Sequence, residues 1–182
     1  MGCGASSTVR PFFIRQPASD TENTLTSVPL STRRKKLVRE SWELIEPVKI
    51  TIGKRIFTRL FDVNPNMQDT FPNFKGKELK DILNSRSLYL HAKRVMVAVE
   101  NAVTVLDDAE TFESYLINLG GRHLPWGVTK DHFGVVGEAF IWALQDVLGE
   151  GCTSDVAEAW IDLYGYIVQA MLEGLQQAKK GR

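Results

Sequence analysis

The stretch SRSLYLHAKRVMVAVENAVTVL, residues 85–106, decides how this chain folds. Leu88, Val95, Ala98, Val99 and Ala102 recur at the three-, four- and seven-residue spacings that line up on one stripe of an α-helix. His91 lies on the same stripe, one turn before Val95, so this helix turns an imidazole inward among aliphatic side chains. The next segment repeats the arrangement. His123 follows Leu119 by one turn, on the face that carries Phe112, Tyr115 and Leu116, and Pro125 and Gly127 then stop the helix.

Working outward, no proline falls between Pro72 and Pro125, and none follows Pro125. Those gaps predict helices over Ser85 to Leu106, Ala109 to His123, Lys130 to Leu148 and Ser154 to Lys179. Upstream, helical periodicity begins at Leu37 and runs through Trp42, Ile45, Ile52, Ile56, Phe57, Leu60 and Phe61, with Pro47 dividing two helices. Pro65 fits the first turn of a short helix opening at Asn64, and Pro72 and Gly76 mark an irregular corner. Asp107, three residues before Glu110, resembles a capping box, and Thr129 and Thr153 are N-cap candidates. Strand and hairpin signals are missing. The fold class is all-α, with seven or eight helices and no internal repeat.

Residues 1–30 hold three of the seven prolines and no periodic apolar run, which predicts a tail, a folded domain over 31–179 and a short end at 180–182. The tail opens Met1-Gly2-Cys3-Gly4-Ala5-Ser6, a pattern in which Gly2 is myristoylated once Met1 is removed. One myristoyl chain binds membranes only marginally, with a constant of about 10⁴ M⁻¹, and palmitoylation of Cys3 would supply the second signal. This reading puts the protein on the cytoplasmic face of the plasma membrane, held by lipid. Arg33, Arg34, Lys35 and Lys36 either add attraction to anionic lipid or form a solvated helix start, where they oppose the macrodipole. The longest clean apolar stretch of the central chain, Val95 to Val99, is far short of the roughly 20 residues that span a bilayer.

Several classes drop out. Lys+Arg and Asp+Glu number 22 each, so no broad basic field exists to hold a nucleic-acid backbone. The two cysteines, Cys3 and Cys152, stand at opposite ends, too few for a disulfide framework or a cysteine-based zinc site. Neither Gly53-Lys54 nor Gly76-Lys77 continues into the Ser or Thr of a phosphate-cradling loop, and no acidic run has EF-hand spacing. HExxH and GxSxG are missing, and three histidines give a hydrolytic triad no anchor. His132 reads as a surface or capping residue, Cys152 as an unreactive thiol, and Trp126, Trp142 and Trp160 as packing residues. A single apolar-face histidine is ordinarily a hydrogen-bonded core residue. Two of them, on stripes with no other polar partner, can both be buried by one flat cofactor ligated through iron.

From about Thr32 to Lys179 the chain resembles a globin. The resemblance rests on Trp42 in the first helix, Phe57 in the second, Pro65 six residues before Phe71, Phe74 beyond Pro72, then His91 and His123 in order. The segments Ala92-Lys93-Arg94-Val95-Met96, Leu119-Gly120-Gly121-Arg122-His123 and Leu163-Tyr164-Gly165-Tyr166-Ile167-Val168-Gln169-Ala170-Met171 are most similar to the neuroglobin and globin X branch, and the acylation-type start to globin X. The stretch between Phe74 and Ser85 lacks the cysteine that some neuroglobins carry, so no disulfide switch is expected.

The resemblance implies haem b, with His123 as proximal ligand, oriented by the Leu119 carbonyl, and His91 as distal residue. His91 would either hydrogen-bond a diatomic ligand or ligate the iron itself, and the branch tilts the reading toward bis-histidine coordination. Phe57, Phe71, Phe74, Val95, Val128 and Phe133 would wall the pocket, and Arg94 would either meet a haem propionate or stay a solvated charge. The implied ligands are O2, NO, CO or nitrite. The implied functions are redox work with a reductase, nitrite reduction, and protection against nitric oxide or lipid peroxides. Oxygen storage, delivery or sensing by a five-coordinate form is the alternative.

Overall fold

A computed structural model describes residues 27–181, so Gly2 and Cys3 lie outside the described residues. Seven α-helices follow in order: α1 (Thr32–Ile45), α2 (Lys49–Val63), α3 (Leu79–Leu83), α4 (Arg86–Thr104), α5 (Glu110–Arg122), α6 (Lys130–Leu148) and α7 (Ser154–Lys180). Short 3-10 turns join them at Glu46–Val48, Pro65–Thr70, Leu124–Trp126 and Gly149–Gly151, and no strand occurs among the described residues.

The core forms where the apolar stripes meet. Val38, Trp42 and Ile45 turn the buried face of α1 toward α7, where the Trp160 ring lies 6.2 Å from Trp42 and 5.8 Å from Phe140. A tryptophan buried this completely needs an acceptor for its N–H. Ser41 Oγ accepts that bond at 2.9 Å and donates to the Leu37 carbonyl at 2.7 Å. Of the stripe predicted for residues 85–106, Leu88, Ala98, Val99 and Ala102 are buried on the inner face of α4, whereas His91 and Val95 are half-buried at its margin and Ala92 and Met96, which were not predicted, complete the face. Ser85 Oγ accepts from Leu88 N at 3.1 Å and fixes where α4 starts.

Several expectations change. Helix α1 begins at Thr32, ahead of Leu37, because Ser31 caps it and its cations find partners. Arg33 pairs with Asp155, Arg34 with Asp162 and with Glu158 at 3.0 Å, and Lys36 with Glu40 at 3.6 Å. Lys35 and Arg39 both reach Asp107, at 3.0 and 2.6 Å. The basic start of α1 is therefore neutralised by acids of the fold, and its charge is not free for a lipid surface. Asp107 is held by these two cations and does not cap α5, whose N-cap position is Ala109. Helix α3 was not expected; with five residues it is too short to show a period. Pro65 opens a 3-10 turn and not an α-helix.

The folded unit also reaches beyond the predicted boundary at residue 31. Val28 and Leu30 are buried in the core, and Val28 N donates to the Leu106 carbonyl at 3.1 Å. An isolated pair of apolar residues beside Pro29 carries no periodic signal, and only the groove it fills makes it visible. Thr153 caps α7 as expected, accepting from Val156 N at 3.4 Å. His132 accepts from Thr129 N at 3.1 Å, a capping role at the start of α6. Trp160 is a packing residue, and Arg59 covers the half-buried Trp142 ring at 5.0 Å. Trp126 is 54% exposed and packs little, because its 3-10 turn projects outward. Among the described residues no helix is long and apolar enough to cross a membrane.

Candidate functional site

Two elements besides its own helix bring aromatic rings against His91. Phe57 and Phe61 project one turn apart from α2, and the corner after the Pro65–Thr70 turn supplies Phe71 and Phe74. The His91 ring stands edge-on to Phe57 at 5.2 Å and to Phe71 at 5.5 Å. Phe71 stacks on Phe74 at 5.4 Å and meets Phe61 at 5.6 Å, so the corner is held by aromatic contacts on both sides. Phe61 has no part in the predicted site, although its place four residues after Phe57 puts both rings on one helix face.

His123 comes from the other side, as the residue that ends α5. Its Nδ1 lies 2.8 Å from the Leu119 carbonyl oxygen. A carbonyl only accepts, so Nδ1 donates in this contact and Nε2 is the ring nitrogen left for another ligand. Gly127, at φ +65°, ends the following turn in a left-handed conformation that favours glycine and redirects the chain toward Val128 and α6. Phe133, on the first turns of α6, has its ring 6.2 Å from His123. Its carbonyl accepts from the buried Tyr164 hydroxyl at 2.8 Å, which ties α6 to α7 beside the site. Burial pushes the Tyr164 hydroxyl well above its usual range, so it stays a donor.

The two imidazoles share an electric field. Burial, then the charge of His123, then that of Arg94 push His91 from 6.5 down to about 4. His91 is therefore neutral near pH 7 and offers a lone pair, the form in which a histidine binds a metal. Arg94 is exposed and without an ion-pair partner among the described residues, but close enough for its charge to act on His91. Val95 and Val128 are half-buried against the core, and Phe74 is fully enclosed. Cys152 is half-buried, and burial pushes its thiol up, which makes it a poor nucleophile.

The depressed His91 sets a pH dependence. In the cofactor-free chain the unfolded state takes up a proton near 6.5 and the folded state only near 4. This contribution to stability is fully present above about 6.5 and drains away as pH falls to about 4, a loss of about 3 kcal/mol. Urea unfolding between these limits should show that loss, and His91→Leu should flatten it; an equally steep profile in the variant would assign the acid sensitivity to another group.

The chemistry of the donor set fits an iron porphyrin: two imidazoles on separate helices, one with its Nδ1 held by a backbone carbonyl, each against aromatic rings. Residues 54–171 match the globin family model. The chain is 36% identical over 146 residues to neuroglobin-1 of Oncorhynchus mykiss and equally so to neuroglobin of Danio rerio; each alignment spans 80% of this chain and 92% of the relative. Among solved structures, a hexacoordinated heme protein from an anhydrobiotic tardigrade shares the fold, with a TM-score of 0.76 and 24% identity over 82% of this chain and 97% of that one. Ferric Aplysia limacina myoglobin matches with a TM-score of 0.69 and 26% identity over 82% and 98%. The helix order and these relatives converge: the chain belongs to the globin family, on its neuroglobin-like branch.

Proposed function

We propose that this chain is a membrane-tethered haem globin in which His123 and His91 are the two axial ligands of the unliganded state. The supporting observation is the pairing itself: an imidazole with its Nδ1 held by a backbone carbonyl at the end of α5 lies within electrostatic reach of a neutral, phenylalanine-flanked imidazole on α4. The cofactor is haem b, which supplies a one-electron couple and an axial position for O2, NO, CO or nitrite.

The residues do the rest. His123 would present Nε2 while its Nδ1–H donates to Leu119, an arrangement that orients the ring. Phe71, Val95, Val128 and Phe133 would keep water from the iron, and Arg94 would pair its guanidinium with a propionate. With His91 on the iron, an external ligand would have to displace it, and apparent affinity would be the intrinsic affinity scaled by the open fraction. Such a gate suits redox work better than bulk oxygen carriage: exchange of electrons with a reductase, reduction of nitrite, and removal of nitric oxide or lipid peroxides near the bilayer. Gly2 and Cys3, as acylation sites, would hold the domain at the cytoplasmic face of the plasma membrane.

The absorption spectrum of the purified ferrous protein tests the coordination, with a low-spin six-coordinate form expected. In His91→Leu the ferrous form should become five-coordinate and high-spin, and CO association should accelerate about 10- to 1000-fold, matching an open fraction of about 0.1–10%. Unchanged association kinetics would remove His91 from the iron. A five-coordinate wild-type spectrum would instead favour oxygen storage or sensing, with His91 as hydrogen-bond donor.

A further inference from the structure

Between residues 75 and 93 the chain carries Lys75, Lys77, Lys80, Arg86 and Lys93 against two acids, Glu78 and Asp81. All of these are exposed, and none has an ion-pair partner among the described residues. The contrast with α1 is sharp, since each cation from Arg33 to Lys36 is matched by an acid of the fold. The free cations belong to the corner and the helices α3 and α4, the segments that also carry Phe71, Phe74 and His91. Lys75 N donates to the Phe71 carbonyl at 3.2 Å and Lys77 N to the Phe74 carbonyl at 3.1 Å, so both lysines follow directly from the aromatic corner. Asn73 Nδ2 donates to Ser87 Oγ at 3.2 Å, tying that corner to the first turn of α4. Arg86 and Lys93 are two turns apart on one face of α4, on either side of His91 in sequence.

We propose that this basic surface rests on an anionic lipid bilayer, so that the His91 side of the domain faces the membrane. Charge complementarity favours that occupant: within residues 75–93 five exposed cations stand against two acids, and none of the five is ion-paired among the described residues. Chain length makes the contact reachable. The segment between Cys3 and Ser27 can extend to about 80 Å, whereas a domain of this size is only about 40 Å across. A tail that long leaves the choice of face to the domain's own charges. The proposal deepens the membrane-tethered reading given above and takes from it the tether that brings the bilayer near. Its test is made without the tether.

Full-length, haem-loaded Gly2→Ala protein is mixed with phosphatidylcholine vesicles, with or without about one-third phosphatidylserine, and the bound fraction is read by sedimentation. Binding is expected to the phosphatidylserine vesicles alone and to weaken as salt rises. Neutralising Lys75, Lys77 and Lys80 to Gln should weaken it about 100-fold, at about 1 kcal/mol per cation lost. Arg86→Gln with Lys93→Gln provides an independent second variant, and Lys179→Gln with Lys180→Gln should leave binding unchanged. Equal affinity for neutral vesicles, or full binding by both sets of rim variants, would overturn the proposal. So would retention on immobilised polyglutamate without affinity for lipid, which would transfer the surface to an acidic protein. The tether is judged separately: a cellular membrane fraction unaffected by Gly2→Ala and Cys3→Ser would remove the acyl anchor while leaving the vesicle result intact.

Discussion

Replacing His123 with alanine is expected to lower haem affinity by more than about 100-fold, since loss of an outer partner of a metal-bound histidine alone costs about 10- to 100-fold. The ring at the end of α5 has one nitrogen committed to the Leu119 carbonyl at 2.8 Å, which leaves Nε2 as the nitrogen to bind iron. Its removal leaves a gap beside Phe133, and free imidazole should enter that gap and restore the low-spin spectrum. Haem transfer to an acceptor globin, followed with and without imidazole, measures both effects. Haem held as tightly by the variant as by the parent would place the ligand elsewhere.

The second large effect is expected at a glycine that touches no cofactor. Helix α5 crosses α7 backbone to backbone: a Cβ at Gly120 would fall on the Met171 carbonyl, and one at Gly174 on the Ile117 carbonyl. Neither obstacle is the end of a flexible side chain, so α5 would have to move away. Gly120→Ala gains about 1 kcal/mol of helix propensity but loses more to overpacking, typically about 1–3 kcal/mol and above that range where backbone is the obstacle. The net expectation is a loss of about 2 kcal/mol, a fall in Tm of about 4–8 °C. Because His123 ends the same helix, the shift should also weaken haem binding and alter the iron–histidine stretching frequency. Gly121 is the internal control. A Cβ there would meet only Gly174 O at 3.5 Å and the Ala178 Cβ at 3.6 Å, ordinary contacts. Gly121→Ala should therefore be neutral or stabilising by up to about 1 kcal/mol. Two adjacent glycines with opposite signs would establish the crossing; equal effects would argue against it.

Neighbouring glycines in α5 were readable as an anomaly, since each lowers helix propensity and needs a compensating reason. What they approach was not readable, because Met171 and Ile117 come within reach of them only through the angle at which α5 crosses α7. The same division runs through the basic residues. Four consecutive cations at the start of α1 look like a lipid-binding run, yet they are partnered by Asp155, Glu158, Asp162 and Asp107 and by Glu40 within their own helix. The scattered lysines after Phe74 are no motif at all, yet Lys75, Lys77 and Lys80 have no ion-pair partner among the described residues.

By itself the sequence determined the all-helical class, the placement of α4, α6 and α7 to within two residues, and the inward turn of His91 and His123. Each follows from local rules: a period set by the α-helix, prolines that break it, and caps that act within one turn. Only the tertiary structure decided that Val28 and Leu30 belong to the core, that Phe61 joins the aromatic corner, that Asp107 serves α1 and not α5, and that the two histidines lie in each other's field. Those features depend on residues far apart in the chain. Their energies depend on distances that no local period encodes, and these arise once the helices have packed.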